Sequence, residues 1–283
     1  MQTAQVHSGR WAIQGGRGSF HHLAAMQLGL RGEEDLIPCS DFYSLAHLVG
    51  TEDEVQGVMA IENSVAGSLL RNYELLRTFP LRIAAEIYLR IEQHLLVNPG
   101  SSLEALREVH SHPMALAQCG IFLRKHKHIK LVETEDTAMS AEALAANPKP
   151  ERAVIASKLA ASLFGLETCR SHIEDHRQNY TRFLLLQKGE MHGHAAKASL
   201  ALLLPHQPGA LQRVLEAAAT VSLNLTKIQS VPLVGNPWHY RFYIDVERVD
   251  GLDEQWLLAL FHAHCEEIEV LGIYAPGEIF EEN

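Results

Sequence analysis

The sequence predicts an α/β fold, on two observations. Through the first 190 or so residues, short apolar runs of strand character alternate with helical patterns, and each run ends in a polar turn that opens a helix. Beyond residue 197 the order changes to βαββαβ, which sets off a second unit.

The elements follow in chain order. The stretch RWAIQGGRGSFHHLAAMQLGL reads as a strand, a turn at Gly15, Gly16 and Gly18, and a helix capped by Ser19. The spacing fits neither the phosphate loop nor the dinucleotide fingerprint, so no nucleotide site is read here. EVQGVMAIENSVAGSLLRNYELL gives a strand to Ile61, the polar residues Glu62, Asn63 and Ser64, then a helix near Ser68. LREVHSHPMALAQCG gives a strand, Ser111 and His112, and a helix with Pro113 in its first position. IKLVETEDTAMSAEALAA gives a strand followed by Asp136 and Thr137 at a helix start. RAVIASKLAASLFGL repeats the theme, with Ser157 opening a helix that ends near Gly165.

In open α/β sheets ligands sit beyond the carboxyl ends of strands, and helix N-termini there receive anions. Ser19, Glu62 to Ser64, Ser111, His112, Thr137 and Ser157 all fall at such ends. The run QNYTRFLLLQ is a buried strand with a polar start: Asn179, Thr181 and Arg182. Two readings stand, a solvated strand edge and an anion site, because arginine is costly to bury unless an anion meets it.

QKGEMHGHAAK, with His192 and His194, reads as a solvated linker. KASLALLLP is then a strand, GALQRVLEAAATVSLN a helix with Leu211, Val214, Leu215 and Ala218 on one face, and LTKIQSVPLVG and WHYRFYIDVER two strands joined at Gly235, Asn236 and Pro237. DEQWLLALFHAHCEEI is a helix and EVLGIYA the last strand, which completes a ferredoxin-like module.

The chain of 283 residues carries a formal net charge of −10, which argues against a nucleic-acid partner. It holds no apolar run long enough for a membrane span, and the first ten residues have no apolar signal core, so a cytoplasmic location is expected. The four cysteines, Cys39, Cys119, Cys169 and Cys265, are far apart and read as reduced thiols. No metal site is read: His262 and His264 lie two apart on a helix, and His21 and His22 adjoin.

Six motifs carry a resemblance. QGGRGSF, IENSVAGS, SHPMALAQC, EDTAMSA and DHRQNYTRF, in that order, resemble the signatures of prephenate dehydratases, and PGALQRVL is similar to the ligand-binding turn of an ACT domain. The resemblance runs from about residue 10 to about 277. It implies a two-subdomain, periplasmic-binding-protein-like catalytic region (10–188), with a cleft between the subdomains, and a C-terminal ACT regulatory domain (197–277). No chorismate mutase segment precedes it, so the monofunctional form is expected. A homodimer or homotetramer is implied, as is feedback inhibition by L-phenylalanine.

The implied reaction converts prephenate to phenylpyruvate, water and carbon dioxide; arogenate dehydratase is the sister alternative, and a non-catalytic small-acid binding protein the alternative outside enzymes. Aromatisation drives the reaction, so no cofactor is expected. The resemblance makes Thr181 the essential residue, taken here as hydrogen-bond donor or proton relay to the leaving hydroxyl, and Arg182 the holder of a substrate carboxylate. Phe183 is expected to strip water from the departing carboxylate. Ser19, Glu62, Asn63, Ser64, Ser111, His112, Thr137 and Asn179 are the candidate substrate-binding residues. Glu62 has two readings, a helix-cap carboxylate outside the chemistry or a paired or protonated group within it. Pro208, Gly209, Ala210, Leu211, Asn224, Leu225, Gln229 and Ser230 are the candidate effector residues. The chain departs from its relatives in two places. His21 stands in place of a small hydroxyl residue, and Gln229-Ser230-Val231-Pro232 in place of Glu-Ser-Arg-Pro, which predicts weaker phenylalanine binding.

Overall fold

A computed structural model describes residues 9–189, 194–233, 235–236 and 238–281. His192 and Pro237 lie outside these residues. The first lobe is built from β1 (Arg10–Gln14), α1 (Phe20–Leu28), β2 (Leu36–Cys39), α2 (Phe42–Thr51), β3 (Val55–Asn63), β4 (Gly67–Ser68), α3 (Leu70–Thr78) and β5 (Leu81–Arg90). The chain then crosses through residues 91–93 into a second lobe: β6 (His94–Val97), β7 (Glu108–Ser111), α4 (Pro113–Gln118), α5 (Gly120–Lys125), β8 (Lys130–Glu133), α6 (Thr137–Ala146), β9 (Arg152–Ala156), α7 (Lys158–Phe164) and β10 (Glu167–Arg170). It returns through 171–179 to the first lobe as β11 (Tyr180–Lys188). Two α/β lobes are what the family resemblance implies; that the chain crosses between them twice is a finding of the structure.

The predicted helix starts hold. Ser19, Asp136 and Ser157 accept from the backbone N–H three residues on, and His112 caps α4 with Pro113 in the first position. These are local effects, set by side chains that satisfy the orphan donors of a first turn. One helix differs. α3 begins at Leu70 with no side-chain cap, because β4 first pairs back onto β3 at Glu62 and Asn63.

The module follows as β12 (Ala195–Leu203), α8 (Ala210–Thr220), β13 (Asn224–Pro232), β14 (Tyr240–Leu252), α9 (Glu254–Phe261) and β15 (Glu267–Tyr274), with sheet order β13-β14-β12-β15. On α8 the buried residues are Ala210, Val214 and Ala218, whereas Leu215 is exposed. The chain then extends past the expected end of the module: β16 (Ile279–Phe280) pairs parallel with β5 and joins the sheet of the first lobe. That sheet runs β16-β5-β11-β3-β1-β2, and the second lobe's sheet β10-β6-β9-β7-β8. No helix among the described residues is long and apolar enough to cross a membrane.

β11 is the strand on which the site depends. It lies antiparallel between β3 and β5, buried on both faces, so its sequence is a continuous apolar run. Phe183 and Leu185 point into a core with Ile13, Leu23 and Ile87, while Leu184 and Leu186 point into another that includes Tyr243 and Leu271 of the module. Successive side chains therefore serve different partners.

His21 belongs to the first of these cores. Its ring meets Phe183 edge-on at 5.0 Å and its Nε2 accepts from the Ala60 N–H at 3.3 Å. Burial lowers its pKa to about 3. An unfolded histidine titrates near 6.5, so the unfolded chain binds the extra proton between these values. The neutral imidazole's contribution is present in full above about pH 6.5 and is lost as pH falls toward 3. His21→Phe is expected to flatten that part of the pH dependence of the urea midpoint; an unchanged slope would place the acid sensitivity elsewhere.

Candidate active site

Asn63, at the carboxyl end of β3, organises the polar start of β11. Its side-chain amide donates to Asn179 Oδ1 at 2.8 Å and to Thr181 Oγ1 at 2.9 Å, and its own Oδ1 accepts from the N–H groups of Val65 and Ala66. Ser64 ties the same turn to the other side, donating to the Gln178 carbonyl and accepting from the Tyr180 N–H. The Asn179 carbonyl accepts from Ile91 in the first crossing. Asn63, Ser64, Asn179 and Thr181, chosen as separate candidates, are thus one hydrogen-bonded group where the lobes join. Thr181 accepts from Asn63, so its own O–H proton is left for another acceptor.

The glycine-rich turn of the first lobe faces helix starts of the second. A Cβ on Gly15, whose φ is +86°, would meet Asp136 Oδ2 at 2.6 Å, and one on Gly18 would meet Ala160 at 3.0 Å. Ser157 Oγ donates to the Gly18 carbonyl at 2.6 Å. The turn therefore brings the N-termini of α1, α6 and α7 together, with Ser19 and Thr137 beside it. Ser111 is not available to a ligand as expected: it is fully buried, and its hydroxyl donates to the Ile155 carbonyl at 2.7 Å. His112 is exposed, but its Nδ1 accepts from the Met114 N–H as a cap.

Three expectations, for Arg182, Phe183 and Glu62, need correction. Arg182 does not share a face with Thr181. It is buried, donates to Glu86 at 2.6 Å and to the Tyr274 hydroxyl at 2.9 Å, and pairs with Asp245. Lys197 completes the cluster through Glu86 at 2.8 Å, and Ser199 bonds both Asp245 and Tyr274. Burial opposes the Arg182 charge, yet Asp245, Tyr274 and Glu86 more than offset this and raise its pKa well above the usual value. The anion that meets this arginine is the protein's own, at the joint between catalytic lobe and module. Phe183 is likewise core, 1% exposed, and supports the strand from behind instead of lining a cleft. Glu62 faces the module too, where it accepts from Lys227, which also donates to Ser68. Glu62 is paired, yet it neither caps a helix nor joins the Thr181 group, so neither of its two readings holds as stated.

In the module, Gly209 precedes α8 with φ +77°, and a cavity of about 280 Å³ opens there. Gly209, Ala210 and Leu211 line it together with His206, Trp238 and Tyr240. Asn224, Leu225, Gln229 and Ser230 lie on β13, outside this lining, and Gln229 donates to the Ser230 carbonyl. Val231, at the position where the resemblance implies an arginine, is buried in the core between module and first lobe.

Sequence reasoning missed Glu86, Asp245 and Tyr274 altogether. Their signal was weak, since each stands alone in a strand of ordinary composition and gains its partner only in space.

Comparison with known proteins places this geometry. The prephenate dehydratase family matches residues 11–191. The bifunctional chorismate mutase/prephenate dehydratase of Escherichia coli (strain K12) is 33% identical over an alignment of 278 residues that covers 96% of this chain and 72% of that protein. A prephenate dehydratase of Arthrobacter aurescens, solved in complex with L-Phe, is 29% identical with a TM-score of 0.82, over 94% of this chain and 90% of that one. A structure described as GqqA, a novel type of quorum quenching acylase, is 32% identical with a TM-score of 0.82, over 93% of this chain and 97% of that one. The family match covers the Gly15 turn, Asn63 and Thr181 alike, and the chain belongs to the prephenate dehydratase family.

Proposed function

We propose that Thr181 donates the hydrogen bond that helps the ring hydroxyl leave when prephenate is dehydrated and decarboxylated to phenylpyruvate in L-phenylalanine synthesis. The observation that carries this is the Asn63 amide on Thr181 Oγ1, which occupies the oxygen as acceptor and leaves its proton to be donated. A threonine hydroxyl is a weak acid, so its part is donation in the transition state. With Arg182 engaged by the module, the substrate carboxylates fall to the helix N-termini around Gly15 to Gly18, whose N–H groups and dipoles favour anions. Mixing the protein with prephenate and following phenylpyruvate absorbance tests the reading; a parallel series with arogenate decides between the two acids. An acylase reading, prompted by one structural relative, requires a base on the nucleophile. The partner found for Thr181 is an amide, which cannot take its proton, and amide hydrolysis without prephenate turnover would favour that reading instead.

The module is read as an ACT domain that binds L-phenylalanine at the Gly209 cavity and inhibits by favouring one arrangement of a homodimer or homotetramer. β13 is the outer strand of its sheet and exposes Ile228, which suits it to pairing with a second copy. There Asn224 and Leu225 can close the partner's cavity. Gly209→Val is expected to abolish phenylalanine binding in calorimetry, because the left-handed backbone is strained for valine and its side chain enters the cavity. Equal binding by both proteins would place the effector site elsewhere.

A further inference from the structure

The two segments that join the lobes carry a cluster the reaction does not use. Glu92 lies in the first crossing, His94 opens β6 immediately after it, and His172 lies in the returning crossing. Their ligand atoms all fall within 4.8 Å of one another. Glu92 and His94 are buried, at 3% and 2% exposure, whereas the His172 side chain is 48% exposed and opens the cluster to solvent.

Two independent features set this cluster apart from an ordinary polar contact. Both ring nitrogens of His94 are buried with no hydrogen-bond partner. Whichever tautomer it adopts, a donor and a lone pair are left unsatisfied, at a cost of roughly 1–3 kcal/mol each. The second feature is His172, which holds φ at +53°, a left-handed conformation uncommon for residues other than glycine. Such an outlier points to a function for the side chain it directs.

We infer that Glu92, His94 and His172 form a binding site for a divalent transition metal of the zinc class, which ties together the two segments crossing between the lobes. Two imidazoles and a carboxylate are a donor set that suits zinc, cobalt or nickel, and three protein ligands leave a fourth position for water. Metal–ligand bonds of about 2.0–2.2 Å require the three donors to draw closer, and the exposed His172 can supply that movement by rotation. The ion satisfies one of the two orphaned nitrogens of His94. Arg90, now 3.2 Å from the Glu92 carboxylate, keeps the Arg177 carbonyl and Glu281 as partners when the ion takes its place. The ion adds a link between segments otherwise held by hydrogen bonds such as Ile173 N–H to the Gln93 carbonyl. It therefore stiffens the hinge about which the lobes move, independently of the role given to Thr181.

The test is calorimetry with Zn²⁺ on chelator-treated full-length protein, beside thermal unfolding with and without Zn²⁺. The wild type is expected to bind one ion per chain tightly and to unfold at a higher temperature with it. His172→Asn keeps a residue that tolerates the left-handed backbone but removes the imidazole, and Glu92→Gln keeps the shape of the carboxylate. Each is expected to weaken binding by at least about tenfold and to abolish the thermal shift. Circular dichroism confirms that the variants fold. Unchanged binding in both variants assigns the ion to other histidines and overturns the site, as does a wild type that binds no Zn²⁺.

Discussion

Thr181→Ala is expected to lower kcat by about a hundred- to a thousand-fold, the usual cost of removing one donor from a developing charge. KM should stay within a few-fold, because the carboxylates of prephenate are held elsewhere. The fold should survive: the methyl group of threonine sits on the same strand face as Phe183, and the lost hydroxyl leaves Asn63 with Asn179 and the Tyr180 carbonyl as acceptors. Thr181→Ser retains the hydroxyl and should recover most of the rate. Steady-state kinetics on both variants decide the matter. Near-normal kcat in Thr181→Ala would remove this residue from the mechanism.

The second large effect is on stability. Arg182→Leu leaves Glu86 and Asp245, both buried, with Lys197 as the cation remaining in their cluster. Removing one partner from a buried ion network costs about 3–5 kcal/mol, because the remaining charges cannot return to water. For a chain of this size that corresponds to a fall in Tm on the order of 10 °C. Differential scanning calorimetry through the transition, with KM measured below it, separates the two roles this arginine has been given. A large fall in Tm with KM within a few-fold fits the joint between lobe and module. An unchanged Tm with KM raised tenfold or more would return Arg182 to the substrate.

The same cluster bears on regulation. β11 carries Thr181 on one face and Arg182 on the other, and Arg182 is anchored by side chains of the module's strands β14 and β15. Any shift of the module against the first lobe therefore acts on the strand that carries Thr181. Lys227 on Glu62 gives the module a second hold, on β3, one residue before Asn63.

Much of this was legible in the sequence because it is local. Helix starts at Ser19, Pro113, Asp136 and Ser157 follow from side chains that satisfy the first turn, and the βαββαβ order follows from the period of the apolar residues. Asn63, Ser64, Asn179 and Thr181 were legible as separate polar candidates at strand ends, whereas their grouping comes from the pairing of β11 with β3. What the sequence left undivided was the face of β11. A run of the form FLLL is apolar at every position, so it carries no alternation from which to tell one side of the sheet from the other. That decision came from topology: β11 is inserted between β3 and β5, with α1 covering one face and the module the other. Burial of Arg182 became tolerable only because Glu86, Asp245 and Tyr274, 63 to 96 residues away along the chain, arrive at the same place. The sequence by itself determined which residues turn, cap and pair locally; the tertiary structure decided which charges meet, because the free energy of a buried charge depends on partners that only the packed lobes and module bring within reach.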